Sequence, residues 1–494
     1  MEQTPGAPQA GHAEALALLE QARLARQEGR LEQAERACRR AIELDPRSAE
    51  AHWKLGAIQR ERGDPGTAET TLRRALAVAP ENLEVLLNLG TTLCALDRPA
   101  EALEFVARAT RVAPGAAIAH ANAGLTLAQC GREEEAVEAY VRAVGLRPDY
   151  AEARWNMAQL LLGLGRFEQG WQMFEARWQL AKYARQRPLP ACPQWSGEDL
   201  RGKRLFVHSE QGFGDTMQFL RYVELAAERG AEVILHVRPE LRNIAATVRG
   251  VARLGILGEP VPECDYACPV MSLARGFGTA LETIPRNVPY LTASEAAVEA
   301  WRRRLDPAAT VNVGLVWSSG ISSGLGKGFV ESAVARSLPL AALAALGAVR
   351  GARFYSLQKG PPAAEADAAP AAMRLRNWSA ELRDFVDTAA LIRALDLVIT
   401  VDTSIAHLAG ALGAPVWVLV NVPSSWRWLR NREDSPWYPT MRLFRQASPG
   451  DWRAPVAGVG AALAALAGRG ARRPPGLAAR VLRALGLAPR SRLP

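Results

Sequence analysis

Long apolar runs, a leader pattern and clustered cysteines are all missing from this sequence of 494 residues. No uninterrupted apolar stretch reaches the roughly 18 residues that indicate a membrane-spanning helix. The first residues, MEQTPGAPQAGHAEA, lack a basic segment followed by an apolar one, so no secretory signal is predicted. These absences predict a cytoplasmic protein without a transmembrane segment.

The 6 cysteines are scattered, which favours a reducing compartment over a disulfide framework. Cys264 and Cys268 lie near each other in ECDYACP, but no histidine or second cysteine pair accompanies them. We therefore expect buried apolar thiols there and no zinc site.

Charge is only modestly unbalanced, with a formal net charge of +9. Most arginines are spread along helical patterns, which favours a solvated surface over a nucleic-acid-binding face. The apolar fraction of 49% is typical of soluble globular proteins. The length predicts about two to four domains.

The first third of the sequence repeats itself with a period of about 34 residues. The recurring positions are Ala34, Ala68, Ala102 and Ala136; Ala41, Ala75, Ala109 and Ala143; Pro46, Pro80, Pro114 and Pro148; and Gly56, Gly90 and Gly124. Small residues let paired helices approach closely, and proline ends the second helix. The pattern resembles the tetratricopeptide repeat (TPR).

The predicted array, an α-helical TPR solenoid, covers residues 15–182, after a disordered segment 1–14. It has four clear repeats and a degenerate fifth, in which Gly170 and Arg177 replace the two alanines. Such arrays hold a peptide or partner protein in their groove. His52 and His120 share one repeat position, so we expect surface or groove residues there and not metal ligands.

Residues 183–202 are rich in proline and polar residues and predict a linker that packs on its neighbours. Three nearby tryptophans are expected to pack the array against the next domain: Trp171, Trp178 and Trp195.

Beyond the linker, short apolar runs alternate with helical patterns, which predicts parallel sheets covered on both faces. The predicted strands are 204–208, 232–237, 251–257, a short one near YACPV, 311–317, 352–357, 395–401 and 415–420. The sequence thus predicts two Rossmann-like halves, residues 203–293 and 311–460, joined by a connecting segment 294–310. Ligands of such sheets bind at the carboxyl ends of the strands, so we expect a cleft between the halves.

The loop HSEQGFGDT (208–216) follows the first strand of the first half. A dinucleotide fingerprint needs a third glycine, but the spacing from Gly212 and Gly214 puts Met217 there, and no Lys-Ser/Thr pair makes a P-loop. What remains is a turn, with Gln211 in it, that presents Asp215 at a helix start. Capping of the helix and a functional carboxylate are both open for Asp215.

A second loop, VDTSIAHLAGALG (401–413), follows the strongest strand of the second half. Thr403 or Ser404 can cap the helix and leave backbone N–H groups aimed at the cleft. His407 lies one helical turn after Ser404, where it can reach an anion bound at that terminus. A phosphate site is favoured over a cap with a core histidine.

Two further segments end near this second loop. SLQKG (356–360) presents Gln358 and Lys359, and a lysine there suits a diphosphate. Asp387 and Thr388 stand at a helix start, where capping is the expected role.

Together these segments resemble bacterial proteins that fuse TPRs to a glycosyltransferase of the heptosyltransferase-type family nine, with the GT-B fold. The segments are EQGFGDTMQFLRY, VGLVW, SLQKG, DTAALIRALDLVITVDTSIAHLAGALG and DSPWYPTMRLFRQ. The architecture is also similar to that of protein O-linked N-acetylglucosamine transferases. The resemblance implies transfer of a sugar from a nucleotide-sugar donor to an acceptor hydroxyl on a protein or glycan, without a metal or cofactor. The sequence agrees with the expectation of no metal, because it contains no Asp-x-Asp motif.

By that resemblance Asp215 is the base on the acceptor side, in a loop with Gln211, Gly212 and Gly214. The resemblance also implies a set of donor-binding residues across the gap: Gln358, Lys359, Asp402, Thr403, Ser404 and His407. One segment departs from the family pattern, because residues 318–337 are glycine- and serine-rich where such proteins carry Asn, His, Lys and Asp. The donor-loop candidates that survive are Trp317, Lys327, Arg336 and Ser337.

Two alternatives follow from these features. An altered donor loop is consistent with a TPR scaffold whose transferase-like region is inactive, and the family resemblance also includes heptose transfer to a lipopolysaccharide core. The basic tail 461–494 lies beyond the resemblance; we expect a solvated terminus, and docking of its short basic amphipathic segment on a membrane surface is the alternative. The remaining tryptophans, at positions 426, 428, 437 and 452, are expected to pack the end of the second half onto the first.

Overall fold

The computed structural model describes residues 7–184, 191–320 and 333–469. The chain divides into two compact units, Met1–Leu160 and Leu161–Pro494. The described residues contain no helix that is long and apolar enough to cross a membrane.

The first unit is a run of antiparallel helices, and the boundary between the units falls inside its last helix. The helices are α1 (Ala7–Gln27), α2 (Leu31–Leu44), α3 (Ala49–Arg62), α4 (Pro65–Val78), α5 (Leu83–Ala95), α6 (Pro99–Val112), α7 (Ala117–Gln129), α8 (Glu133–Leu146) and α9 (Ala151–Gly163). Helix α1 already begins inside the segment 1–14 that was expected to be disordered.

Small residues permit the close helix pairs that the repeat pattern predicts. A Cβ added to Gly56 of α3 would lie 2.6 Å from Cγ of Leu72 on α4, and the repeated alanines such as Ala68 and Ala75 are fully buried.

The two repeat histidines lie inside the array. His52 is buried, with Nδ1 2.8 Å from the carbonyl oxygen of Ser48. His120 is also buried, with Nε2 2.9 Å from the carbonyl of Pro114, so neither histidine is an exposed surface residue; the alternative of a groove position stays a prediction.

The second helix of the fifth repeat belongs to the second unit. It is α10 (Phe167–Phe174), followed by a 3-10 turn Glu175–Gln179 and α11 (Ala181–Ala184). Trp171 on α10 is buried, donates from Nε1 to the carbonyl of Thr279 (3.1 Å), and packs edge-on against Phe219, Trp426 and Trp437. The expectation that tryptophans pack this region onto the α/β part is confirmed for Trp171.

Ten parallel strands form two sheets in the described part of the second unit. They are β1 (Arg204–His208), β2 (Glu232–Val237), β3 (Val251–Ile256), β4 (Tyr266–Pro269), β5 (Val311–Val316), β6 (Ala352–Ser356), β7 (Leu375–Asn377), β8 (Leu397–Val401), β9 (Val416–Val420) and β10 (Met441–Arg445). The first sheet has the order β3-β2-β1-β4 and the second β10-β9-β8-β5-β6-β7. The predicted strands are thus confirmed, whereas β7 and β10 carry no strong apolar run and were missed.

Helices cover both sheets. They are α12 (Phe213–Phe219), α13 (Arg221–Glu228), α14 (Arg242–Ala245), α15 (Leu273–Gly276), α16 (Glu295–Arg302), α17 (Phe385–Ala394), α18 (Ser404–Ala411) and α19 (Arg453–Arg469), with longer 3-10 segments at Leu340–Ala348 and Pro361–Ala368. Asp384 caps α17, ahead of Asp387 and Thr388. Leu463 of α19 lies in the core of the second sheet, so the ordered half extends into the predicted tail.

One cysteine expectation is wrong. Cys192, just after the segment 185–190, forms a disulfide with Cys264, whereas Cys268 is a buried free thiol as expected. The neighbouring backbone explains the pairing. The N–H of Trp195 donates to the carbonyl of Ala267 on β4, and the N–H of Ala267 donates to the carbonyl of Pro193, so the two chain segments lie side by side.

Candidate functional site

Asp215 lies in the first turn of α12, directly after the carboxyl end of β1. Its Oδ2 accepts the backbone N–H of Gly212 at 2.8 Å, so the capping role is present. Its Oδ1 forms an ion pair with the guanidinium of Arg427, and the Asp215 side chain keeps 20% of its surface exposed. The carboxylate is therefore both a helix cap and a partner of a cation from the second half.

The start of α18 is the corresponding feature of the second half. Thr403 is the N-cap and its hydroxyl accepts the N–H of Ile405 at 3.2 Å. The preceding Asp402 is buried, with its Oδ2 3.8 Å from Nη1 of Arg336. Thr403 and Ser404 remain partly exposed at the positive end of the helix.

These two helix starts are in direct contact. A Cβ added to Gly214 would lie 2.6 Å from Cδ2 of His407 and 3.3 Å from Cα of Ser404. The sequence predicts a gap between the first loop and the donor residues, and at this position the prediction is wrong, because the missing side chain of Gly214 lets the turn pack on α18. Asp215 and the start of α18 thus belong to one site.

His407 is buried beneath this contact, with only 3% of its surface exposed. Its Nδ1 lies 3.0 Å from the hydroxyl of Tyr438, and its ring stacks on Trp428. Burial holds the pKa of His407 well below its ordinary value, and the cations Arg427, Arg221 and Arg336 lower it further. The imidazole is therefore neutral at physiological pH.

Gln358 holds the loop that follows β5. Its Oε1 accepts the N–H groups of Trp317 (3.1 Å) and Ser318 (2.9 Å), and its Nε2 donates to the carbonyls of Ser318 and Lys359. Because all of these amide groups are engaged, Gln358 braces the backbone. Trp317 is likewise a core residue with no exposed surface.

The other residues predicted on the donor side are Arg336, Ser337 and Lys327 of the donor loop and the donor-binding residue Lys359. Ser337 accepts the N–H of Ser319 at 2.9 Å, and the exposed Lys359 donates from Nζ to the carbonyl of Ser379 at 2.7 Å. Arg336 also contacts the carbonyl of Asp402 at 3.4 Å. Lys327 lies outside the described residues.

Sequence reasoning missed several residues that the fold brings to Asp215. Arg427 comes from a 3-10 turn (Trp426–Trp428) after β9. Tyr183 of α11 lies near Asp215: burial, and then that carboxylate, raise the pKa of Tyr183 to about 12. Neither residue belongs to a recognisable spacing with Asp215, so no local signal identifies them.

A buried ion pair anchors the loop that carries Asp215. Arg177 donates from Nε and Nη2 to the two carboxylate oxygens of Glu210 at 2.8 and 2.9 Å, and neither side chain is exposed by more than 1%. Burial raises the pKa of Glu210, because the charged form has lost its water. Arg177, which replaces an alanine of the repeat pattern, thus has a structural role. It pairs with Glu210, the residue before Gln211, whose backbone is left-handed (φ 55°).

No group of three or more His, Cys, Asp or Glu side chains suited to a metal ion occurs within the described ranges. Among the described residues, the cations near the site include the side chains of Arg336, Lys359 and Arg427, besides the buried Arg221.

Family models for the tetratricopeptide repeat match residues 19–82, 59–125 and 124–165. The first part of the chain is therefore a TPR array, followed by an α/β region with parallel sheets. Among curated proteins, Protein FlbA of Caulobacter vibrioides is 30% identical over 319 residues, covering 60% of this chain and 52% of FlbA. The chain thus spans about half the length of this curated relative.

Solved structures match about a third of the chain. Pseudomonas aeruginosa pilF is 27% identical, covers 34% of this chain and 78% of its own, and has a TM-score of 0.32. The TPR protein TTC0263 of Thermus thermophilus is 24% identical, covers 34% of this chain and 92% of its own, and has a TM-score of 0.32. The TPRs support a role in binding a peptide or protein partner.

Proposed function

We propose that the α/β region is a GT-B glycosyltransferase that moves a sugar from a nucleotide-sugar donor to an acceptor hydroxyl, and that the TPR array recruits the acceptor or a partner protein. One observation carries the proposal: the turn of Gly214 and Asp215 packs through Gly214 against the capped, partly exposed start of α18, close to the carboxyl ends of strands β1 and β8. Ligands of open α/β sheets bind at that edge, and helix starts bind phosphate.

Asp215 serves as the base in this proposal. The acceptor hydroxyl gives its proton to the carboxylate while its oxygen attacks the anomeric carbon of the donor sugar. The bond from that carbon to the donor diphosphate breaks, and the diphosphate leaves with its electron pair. The 20% exposure of the Asp215 side chain leaves room for the hydroxyl to approach.

The leaving diphosphate is stabilised from the second half. The backbone N–H groups at the start of α18, together with Arg336 and the exposed Lys359, supply positive charge where negative charge develops. Gln358 and Ser337 hold the adjoining loop, and the neutral His407 supports the helix from below.

A donor screen tests this function. Full-length protein is incubated with UDP-, GDP- and ADP-sugars, including ADP-heptose, and with protein, glycan and lipid acceptors. Product is measured by mass spectrometry. We expect Asp215→Asn to lower transfer by about 100-fold or more, because the proton acceptor is lost, while donor binding persists, because the phosphate-binding groups remain in place. Asp199→Asn, at a carboxylate with 61% side-chain exposure, is the matched control.

Two results would decide against the proposal. Transfer at the wild-type rate in Asp215→Asn would remove Asp215 from the role of base. Failure of the wild-type protein to bind any nucleotide sugar, while the TPR array still captures a protein partner, would favour the alternative of a scaffold with an inactive transferase-like region. That alternative is favoured by one observation, the ion pair that occupies Asp215.

A further inference from the structure

Arg427 joins the two halves of the α/β region at Asp215. Its side chain keeps only 12% of its surface exposed, and the ion pair is formed by Nη2 and Oδ1. Nη1 donates to the hydroxyl of Ser425 at 3.0 Å, and the guanidinium lies 4.4 Å from the ring centre of Trp426. The arginine is therefore held by its own turn as well as by the carboxylate.

This guanidinium has hydrogen-bonding capacity left over. Its Nε is buried and has no acceptor within the part of the chain that the structure describes. A buried donor without an acceptor is costly, and a guanidinium presents five N–H groups suited to the paired oxygens of a phosphate. Meanwhile Oδ2 of Asp215 is used by the N–H of Gly212. Within the described residues, the Arg427 guanidinium therefore keeps an N–H group, at Nε, without an acceptor.

Arg427 also lies close to the proposed donor site. The residue after it, Trp428, stacks on His407 of α18 with the ring centres 5.2 Å apart, and a Cβ added to Gly214, the residue before its partner Asp215, would lie 3.3 Å from Cα of Ser404 at the start of α18. An anion bound at that start would lie within reach of the same guanidinium that holds Asp215. A diphosphate carries more charge than one carboxylate and accepts more hydrogen bonds.

We propose that Arg427 is a phosphate ligand for the donor, and that it exchanges between Asp215 in the free protein and the donor diphosphate in the complex. The inference rests on the proposed function and deepens it. Without donor, the ion pair occupies the carboxylate that serves as base. Donor binding draws Arg427 away and frees Asp215 for the acceptor hydroxyl, so the donor binds before the acceptor reacts.

Pyrophosphate is the probe, because it tests the anion site without knowledge of the base or sugar. Calorimetric titration of the full-length protein should show pyrophosphate binding that weakens about 10-fold or more in Arg427→Met. Arg427→Lys should weaken binding less, because lysine keeps the positive charge but loses the paired N–H groups of the guanidinium. Arg432→Met is the matched control, because Arg432 pairs with Asp434 in the same segment, and it should bind as wild type does. Thermal unfolding of each variant reports whether it folds.

Asp215→Asn supplies a test of opposite sign. If the carboxylate competes with the diphosphate for Arg427, its removal should tighten pyrophosphate binding about threefold or more, and this gain should shrink in the Asp215→Asn/Arg427→Met double variant. An ion pair that only stabilises the fold would give weaker binding in both single variants. That result would overturn the exchange.

The outcomes separate this inference from the proposed function. Equal pyrophosphate binding by wild type and Arg427→Met overturns the inference and leaves the proposed transfer standing. Loss of binding in Arg427→Met, in a protein that transfers no sugar, supports the anion site and counts against transfer. If the wild-type protein binds neither pyrophosphate nor UDP, GDP or ADP, both fail.

Discussion

At the scale of single residues, the polar side chains around the site are held by other parts of the chain. Asp215 is paired with Arg427, Glu210 with Arg177, and the amide of Gln358 with backbone groups after β5. Buried polar groups need such partners, and a well-satisfied set fixes the loops in one arrangement. Preorganisation of this kind suits the proposed phosphate site, whereas the proposed base must first be released from Arg427.

His407 makes stability dependent on pH in a predictable direction. Its pKa is held well below the ordinary value of 6.5 in the folded protein, so only the unfolded chain takes up the proton as the pH falls through 6.5. We expect this residue to account for about 1.4 kcal/mol of lost stability between pH 7.5 and pH 5.5. Urea unfolding of wild type and His407→Gln at both pH values measures the difference.

The variant should lose less stability than wild type over this range, because glutamine does not titrate. An equal loss in both proteins would show that folded and unfolded His407 take up the proton over the same pH range, which would overturn the lowered pKa of the folded imidazole.

At the scale of elements, the site depends on how closely α12 approaches α18. Glycine at position 214 permits that approach, because a side chain there would collide with His407 and Ser404. In the repeats, Gly56 has the same steric role between α3 and α4. One residue type thus serves helix pairing in the array and assembly of the site in the α/β region.

Gly214→Ala is therefore expected to separate α12 from α18. The added methyl group would cost about 1–3 kcal/mol through overpacking, and it should tighten pyrophosphate binding, because α12 carries Asp215 away from Arg427 and weakens the ion pair that competes for that guanidinium. Thermal unfolding and calorimetric titration measure the two effects.

Gly460→Ala is the matched control on α19. Its added Cβ would make only an ordinary contact, 3.6 Å from Cδ2 of Leu346, and alanine favours the helix by up to about 1 kcal/mol. If Gly214→Ala were as stable as Gly460→Ala and bound pyrophosphate normally, the close approach would have no role in the site.

At the scale of the whole molecule, the last repeat helix is part of the α/β unit. Trp171 of α10 lies in an aromatic cluster with Phe219, Trp426 and Trp437, and Arg177 neutralises the buried Glu210. The compact unit accordingly begins at Leu161, well before the first strand.

Two fragments test this division. Residues 161–494 should fold cooperatively, whereas residues 185–494 should not, because the second fragment loses Trp171 and leaves Glu210 buried without its cation. Truncating a buried tryptophan costs about 3–5 kcal/mol and breaking a buried ion pair a similar amount. Circular dichroism and thermal unfolding compare them. Cooperative unfolding of residues 185–494 at the same temperature would show that α10 is dispensable.

The sequence by itself determined the features that depend on local periodicity. The repeat spacing set by residues such as Ala34 and Ala68 follows from helix packing, and the buried strands β5, β8 and β9 follow from continuous apolar runs. The helix starts at Asp215 and Thr403 were also predictable, because capping needs specific residues at fixed offsets.

Only the tertiary structure decided which distant residues share the site. Arg427 meets Asp215, Arg177 meets Glu210, and Cys192 meets Cys264 through folding of segments far apart in the chain. Such pairs produce no periodic pattern in the sequence, because a charged residue or a cysteine at either position is equally compatible with a solvated surface. The packing of the two sheets and of the last repeat helix determines which of these residues meet. That packing cannot be read from a single sequence.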